Sequence, residues 1–80
     1  MEKVIEIKPL DNFEIWVLFA DHYSAKINVR PFITSGSSLK LLDTDFFQKV
    51  RIDEFGGIVW ENGFDFCPNY LREFTDKLMF

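Results

Sequence analysis

The sequence has little of what metal centres and nucleophilic active sites require. Its 80 residues include one cysteine, Cys67, and one histidine, His22. A single cysteine excludes an internal disulfide, and one Cys with one His cannot form a Cys/His zinc site. His22 has no second His and no Cys near it in the sequence, and Cys67 has no plausible base. We therefore predict no metal, no cofactor and no catalytic residue, and so a protein that is not an enzyme.

Basic charge and long apolar runs are also scarce. Nine Lys and Arg stand against 13 Asp and Glu, and the formal net charge is −4. Binding of nucleic acid needs a basic face to displace phosphate counterions, so we predict no direct contact with DNA or RNA. No apolar segment reaches the roughly 18 residues of a membrane helix, and the N-terminus lacks the apolar core of a signal peptide. We expect a cytoplasmic protein without a membrane span.

Aromatic residues, in contrast, are abundant. The chain has 10 Phe, 2 Trp and 2 Tyr. Each aromatic side chain buries about 150–250 Å², so a core can form although a domain of this size buries only roughly 60% of its unfolded surface. We predict one domain, residues 1–80, that leaves some aromatic surface exposed and uses it to form a homodimer.

The first half of the chain has the pattern of a three-stranded meander. Val4–Lys8 alternates β-branched with charged residues and ends at Pro9, which predicts an edge strand. Phe13–Ala20 is apolar on both faces, which predicts a central strand covered by a helix on one face and by a loop or a second subunit on the other. Alternate residues of Tyr23–Val29 are apolar, as in a half-buried strand.

The second half mixes turns, short strands and helices. We expect a short helical turn at Pro31–Ile33, a flexible loop at Thr34–Ser38, and a short helix over about Thr44–Lys49 with Asp43 or Thr44 as its N-cap. Alternation then predicts three short extended segments, Val50–Glu54, Ile58–Glu61 and Phe64–Phe66. Asn62-Gly63 between the last two is typical of a two-residue type I′ turn.

An amphipathic helix is predicted at the C-terminus. Pro68 suits the first turn of a helix, where a missing N–H is tolerated, and Leu71, Phe74 and Leu78 recur at helical spacing. The predicted fold class is thus α+β: a small antiparallel sheet, made of a three-strand meander and a strand pair, with a short helix and a C-terminal helix packed on it.

One stretch is specific enough to suggest a family. Gly56–Leu71 reads GGIVWENGFDFCPNYL and contains the pattern W-x-N-G-x-D-x-x-P-x-x-L. With two weaker motifs, at Phe19–His22 and from Leu41 to Val50, it resembles the bacterial domain-of-unknown-function family numbered twenty-four forty-two. The resemblance covers nearly the whole chain and implies a small α+β fold. Because members' genes often adjoin that of another short protein, it also implies an antitoxin-like role.

Three residues depart from the family pattern, and one of them is Glu61, which stands where proline is common before Asn-Gly. His22 stands where glycine is usual in the first hairpin turn, a position that needs a positive φ; histidine is among the residues that tolerate it. Cys67 stands where a better capping residue often precedes the proline, which weakens the helix start by about 1 kcal/mol.

Four residues are candidates for contact with a partner or ligand: Trp16, Phe19, Trp60 and Asp65. For Trp60 we favour a core position. For Asp65 we favour hydrogen bonds to backbone N–H groups of the Asn-Gly turn or the helix start, the alternative being a surface carboxylate that docks a basic partner. Four further acids, Asp43, Asp45, Asp53 and Glu54, do not have the spacing of a calcium loop and are interpreted as a solvated acidic face.

These features support two functional hypotheses. The first is a non-enzymatic protein-interaction module that binds a small basic protein encoded nearby and neutralises it, as an antitoxin does. The alternative is a small-ligand-binding domain whose aromatic pocket is lined by residues such as Trp16, Phe19 and Trp60. An exposed apolar patch favours the first and a closed concavity favours the second.

Overall fold

The computed structural model describes residues 3–78, and the side chains of residues 3–73. It is an α+β fold of two small antiparallel sheets and short helices, which confirms the predicted class. In chain order the elements are β1 (Val4–Pro9), β2 (Glu14–Phe19), β3 (Ser24–Asn28), two 3₁₀ helices (Arg30–Phe32 and Gly36–Leu42), α1 (Thr44–Phe47), β4 (Arg51–Ile52), β5 (Ile58–Val59), β6 (Asp65–Phe66) and α2 (Pro68–Leu78). No helix in the described residues is long and apolar enough to cross a membrane.

The first sheet has the order β1-β2-β3, so the predicted meander and its central strand are confirmed. Ile15, Val17 and Phe19 of β2 point inward and are 0% exposed. Strand β1 lies at the edge, as Pro9 predicts, and its register shifts by one residue between Val4 and Glu6. This β-bulge lets Val4 and Ile7, three positions apart, both lie on the core side of the sheet, whereas Ile5 is 53% exposed.

The second sheet has the order β4-β5-β6, with two residues in each strand. The strand pair of the prediction is therefore a three-stranded sheet. It joins the edge of the first sheet where the N–H of Val4 donates to the carbonyl oxygen of Gly56 at 2.8 Å. The two sheets thus enclose one core, to which α2 adds Leu71, 2% exposed. The predicted apolar positions Phe74 and Leu78 lie outside the described side chains.

The prediction of a flexible loop at Thr34–Ser38 is wrong in part, because the second 3₁₀ helix begins at Gly36. The buried hydroxyl of Ser38 organises this segment. It accepts hydrogen bonds from the N–H of Thr34 and of Ser35, at 3.1 and 3.2 Å, and donates to the carbonyl of Ser35 at 2.7 Å. A serine whose hydroxyl bonds nearby backbone groups in this way fixes a turn that composition alone suggests is mobile.

Helix α1 begins where the sequence predicts. The Asp43 carboxylate caps it by accepting hydrogen bonds from the N–H groups of Asp45 and Phe46, at 3.0 and 3.4 Å. The helix is shorter than predicted and ends at Phe47 rather than Lys49. Phe47 is 2% exposed, so this short helix serves to place one aromatic ring in the core.

The predicted type I′ turn at Asn62-Gly63 is wrong. Such a turn needs positive φ at both residues, and of this pair only Gly63 has one, at +87°. The N–H of Gly63 donates to the carbonyl of Trp60, and the N–H of Trp60 donates to the carbonyl of Phe64, both at 2.9 Å. The connection is a three-residue loop, a type I turn followed by one left-handed residue.

The same loop occurs at two other places. In Phe19–Tyr23 the left-handed residue is His22, with φ +72°, as predicted, and in Asp53–Gly57 it is Gly56, with φ +86°. A turn with two left-handed residues exists instead at Asn12 and Phe13, with φ +59° and +61°. Phe13 is consequently a turn residue and not the first residue of a strand.

Candidate docking groove

Two of the four predicted contact residues are interior. Phe19 and Trp60 are both 0% exposed. The indole N–H of Trp60 donates to the carbonyl oxygen of Phe47 at 2.9 Å, and its ring lies 5.7 Å from that of Phe47 and 6.0 Å from that of Phe64. Trp60 therefore has its polar group satisfied inside the core, as favoured from the sequence, and neither residue offers a surface to a partner.

Trp16 lies on the other face of β2. Because side chains alternate along a strand, Trp16 points away from the core that contains Phe19. The predicted aromatic pocket of Trp16, Phe19 and Trp60 is therefore wrong. The apolar cavity between Ile27, Phe32 and α2 has a volume of about 10 Å³, room for roughly one water molecule. A metabolite does not fit there.

Asp65 is exposed, and the hydrogen-bonding role predicted for it is wrong. Within the described residues its carboxylate accepts no hydrogen bond and forms no ion pair. The turn beside it is stabilised by Asn62, whose side-chain oxygen accepts from the N–H of Phe64 at 3.2 Å. The carboxylate of Asp65 thus lies on strand β6 and is exposed to solvent.

The register of the second sheet places Asp65 in a row with two other side chains. Arg51 of β4 pairs with Val59 of β5, and Val59 pairs with Asp65 of β6. Residues directly opposite one another in adjacent strands share a face of the sheet. This row is the floor of an open groove of about 430 Å³, lined by Arg51, Asp53, Glu54, Phe55, Val59 and Asp65; we call it the docking groove.

The wall of the docking groove is the turn between β4 and β5. One carboxylate oxygen of Asp53 accepts from the N–H of Phe55 at 2.8 Å and from the N–H of Gly57 at 3.0 Å. These bonds fix the turn and leave Phe55 at its apex, 69% exposed. An aromatic ring held in water by a rigid turn is a typical anchor for a protein partner.

The side chains that line the groove are acidic, basic, aliphatic and aromatic. Three of its lining residues are acidic and one is basic, and none is Ser, Thr, Cys, His or Lys. Glu54, like Asp65, forms no ion pair with another described residue, and Arg51 is the one cation that lines the groove with them. No cluster of three or more His, Cys, Asp or Glu with the geometry of a metal site occurs in the described residues.

Another ion pair, which the sequence did not indicate, connects α2 to the first sheet. Both terminal nitrogens of the Arg72 guanidinium, Nη1 and Nη2, donate to the carboxylate of Asp21, at 3.2 and 2.9 Å. The same guanidinium lies 4.2 Å from the ring of Tyr23 and 5.1 Å from that of Phe19. The hydrogen bonds from Arg72 lower the pKa of the Asp21 carboxyl below its ordinary value.

Residues 4–75 match the family described as "Protein of unknown function (DUF2442)". The chain belongs to this family. No match was found among curated proteins or among solved structures. The fold and the groove of this DUF2442 domain are therefore interpreted from its own residues.

Most residues of the DUF2442 motif have structural roles in this chain. Trp60 is core, Asn62 and Gly63 form the turn, and Pro68 begins α2. Asp65 is the motif residue whose side chain forms no hydrogen bond or ion pair with another described residue.

Sequence reasoning missed Phe55, the most prominent side chain of the groove. One signal could have found it. Phe55 follows Asp53 and Glu54 and precedes two glycines, which is a turn composition. A large aromatic residue in the middle of a short turn points away from the strands it connects. It therefore cannot reach the core that those strands cover.

Proposed function

We propose that this DUF2442 domain is a non-enzymatic protein-interaction module whose docking groove binds a basic segment of another protein. The observation that carries the proposal is Phe55, exposed over 69% of its surface and fixed beside carboxylates that form no ion pair with another described residue. A partner that covers this Phe would gain binding free energy, because burying an apolar side chain contributes about 1.5–3 kcal/mol.

The charges of the groove determine what kind of segment fits. An arginine of the partner can donate two parallel hydrogen bonds to Asp65 or Glu54 and can also stack on the ring of Phe55. A purely apolar segment would instead strip water from these carboxylates without replacing it, which is costly. The groove therefore favours a segment that combines arginine or lysine with apolar residues.

In the cell, the partner we propose is a small basic protein encoded next to this one in a bacterium. The domain would neutralise it in the cytoplasm by covering its basic surface, as antitoxins do. Support comes from the net charge of −4, which attracts a basic partner over a distance of about a Debye length, roughly 8–10 Å.

A peptide titration tests the groove directly. The probe is an eight-residue peptide of alternating arginine and leucine, and its control has glutamate in place of arginine. We expect the basic peptide alone to shift the backbone amide resonances of Arg51, Phe55 and Asp65 in NMR spectra. Phe55→Ser and Asp65→Asn should each weaken the affinity about tenfold, as the loss of an anchor does.

Two matched substitutions control for exposure and charge outside the groove. Leu39 is 48% exposed, so Leu39→Ser removes a comparable apolar side chain, and Asp45→Asn removes an exposed carboxylate of α1. Both should leave the affinity unchanged. Equal binding of the acidic peptide, or equal weakening by all four substitutions, would contradict the proposal.

A further inference from the structure

The outer face of the first sheet is partly apolar, and its chemistry differs from that of the acidic docking groove. Trp16 and Leu18 of β2 are half-buried and are not part of the core or of the shell of residues packed against it. Interfaces between proteins are enriched in tryptophan at their centres. This face is therefore a candidate for contact with another chain, independently of the proposed function.

Two rows of side chains cross all three strands on this face, and Glu14 with Asn28 begins a third at its end. One row is Glu6–Leu18–Ser24 and the other is Lys8–Trp16–Lys26. The ammonium nitrogen of Lys8 lies 3.6 Å from a carboxylate oxygen of Glu6 and 5.4 Å from the centre of the Trp16 ring. Each row thus has an apolar centre, and on β1 the two rows carry opposite charges.

Two copies of such a face can pair about a two-fold axis in either of two directions. An axis that crosses the strands between the rows puts Glu6 opposite Lys8 of the second copy and Leu18 opposite Trp16. An axis along β2 puts Lys8 opposite Lys26, which are like charges and destabilising when they face each other. Only the first axis makes the face complementary to itself.

We infer that this protein forms a symmetric dimer through the outer face of its first sheet, about the axis that crosses the strands. Each Trp16 then packs on Leu18 of the second copy, and each Lys8 lies against Glu6 of the second copy. The contact is isologous, since every pairing occurs twice and the assembly closes at two chains.

The size of the face sets the strength of the dimer. Strands about 4.8 Å apart with about 3.4 Å per residue make a face of roughly 14 by 20 Å. This is well below the roughly 800 Å² per partner of a standard interface. We therefore expect a reversible dimer with a Kd on the order of 100 µM, which forms as the protein concentration rises.

Charge reversal with rescue tests the pairing. Sedimentation equilibrium of the full chain up to about 1 mM should show the mass rising from 9.5 kDa toward twice that value. Glu6→Lys or Lys8→Glu alone should weaken the dimer at least about tenfold. The double variant Glu6→Lys/Lys8→Glu should restore it, and an equimolar mixture of the two single variants should form the heterodimer.

Two control variants separate this dimer from other arrangements. Lys26→Glu should leave the Kd nearly unchanged, because Lys26 faces Ser24 across the proposed axis; a tighter dimer would indicate the axis along β2 and overturn the inference. Phe55→Ser should not affect dimerisation, so failure here is distinct from failure of the docking groove. A wild-type chain that stays monomeric up to about 1 mM, or no rescue by the double variant, would also overturn it.

Discussion

His22 occupies a backbone position that glycine fills in the two other loops of the same kind. Its φ is +72°, compared with +87° for Gly63 and +86° for Gly56. In the hairpin at His22 the side-chain oxygen of Asp21 accepts from the N–H of Tyr23, and in the hairpin at Gly63 that of Asn62 accepts from the N–H of Phe64, both at 3.2 Å. The loops are therefore equivalent, and the histidine is strained where the glycine is not.

His22→Gly should stabilise the protein by about 0.5–1 kcal/mol, because the left-handed strain of about 1–2 kcal/mol is relieved while glycine gains entropy in the unfolded chain. Urea denaturation measures the change. Gly63→His is the matched control: a Cβ there would meet nothing within 4 Å, so only the backbone strain changes. It should destabilise the protein by about 1 kcal/mol. An unchanged midpoint for His22→Gly would show that the strain is not stored at this residue.

Among the contacts between elements, one anchors helix α2. Its residue Arg72 reaches the loop between β2 and β3. The guanidinium donates twice to Asp21 and lies over Tyr23. A bidentate pair of this kind fixes the orientation of the helix as well as its position. Hydrogen bonds from Arg72 lower the folded-state pKa of Asp21, so the pair contributes stability above the unfolded carboxyl pKa and loses it as the pH falls through the lowered value.

Asp21→Asn distinguishes the contribution of the Asp21 charge from that of its hydrogen bond to the turn. Asparagine keeps the oxygen that accepts the N–H of Tyr23, as Asn62 does in the equivalent loop, but loses the ion pair. We expect thermal melting to show the variant less stable than wild type at pH 7, with the difference shrinking as the pH falls through the lowered pKa of the Asp21 carboxyl. Asp11→Asn, at an exposed carboxylate with no hydrogen bond in the described residues, should show no such trend. A difference independent of pH would contradict the ion-pair account.

At the scale of the whole molecule, the two sheets meet at Gly56 and Gly57. The carbonyl of Gly56 receives the N–H of Val4, which links the sheets. Gly57 is buried, and a Cβ at this residue would overlap the backbone carbonyl oxygen of Phe66. The close approach of β5 and β6 thus depends on the absence of a side chain, and with it the row of residues that forms the floor of the docking groove.

Gly57→Ala should therefore cost at least about 2 kcal/mol, because a backbone atom and not a flexible side chain would have to move. The midpoint of urea denaturation gives this value. Gly36→Ala is the control, since a Cβ at Gly36 meets nothing within 4 Å and only its φ of +59° is unfavourable; about 1 kcal/mol is expected there. A smaller loss for Gly57→Ala than for Gly36→Ala would be inconsistent with this packing.

The whole molecule also separates two surfaces of different chemistry. The acidic docking groove belongs to the second sheet, and the charge-paired face with Trp16 belongs to the first. Each sheet turns one face to the shared core, so each has one face left for contacts. Dimerisation and binding of a basic segment can consequently be tested by separate substitutions.

The sequence by itself determined the features that depend on near neighbours. The alternation in β2, the Asp43 cap, the start of α2 at Pro68 and the positive φ of His22 follow from residues a few positions apart, whose interactions are the same in any fold. Family membership also followed from the sequence, since its motif is a run of such local signals.

Only the tertiary structure decided which side chains are free. Asp53 and Asp65 both flank glycine turns, yet Asp53 is engaged by the backbone and Asp65 is not. The two loops have the same length, so strand register made the difference: it pairs Asp65 with Val59 on the outer face of the second sheet, and this register is set by the packing of the core. The same packing buried Trp60 and left Phe55 exposed, although both are aromatic residues beside a turn.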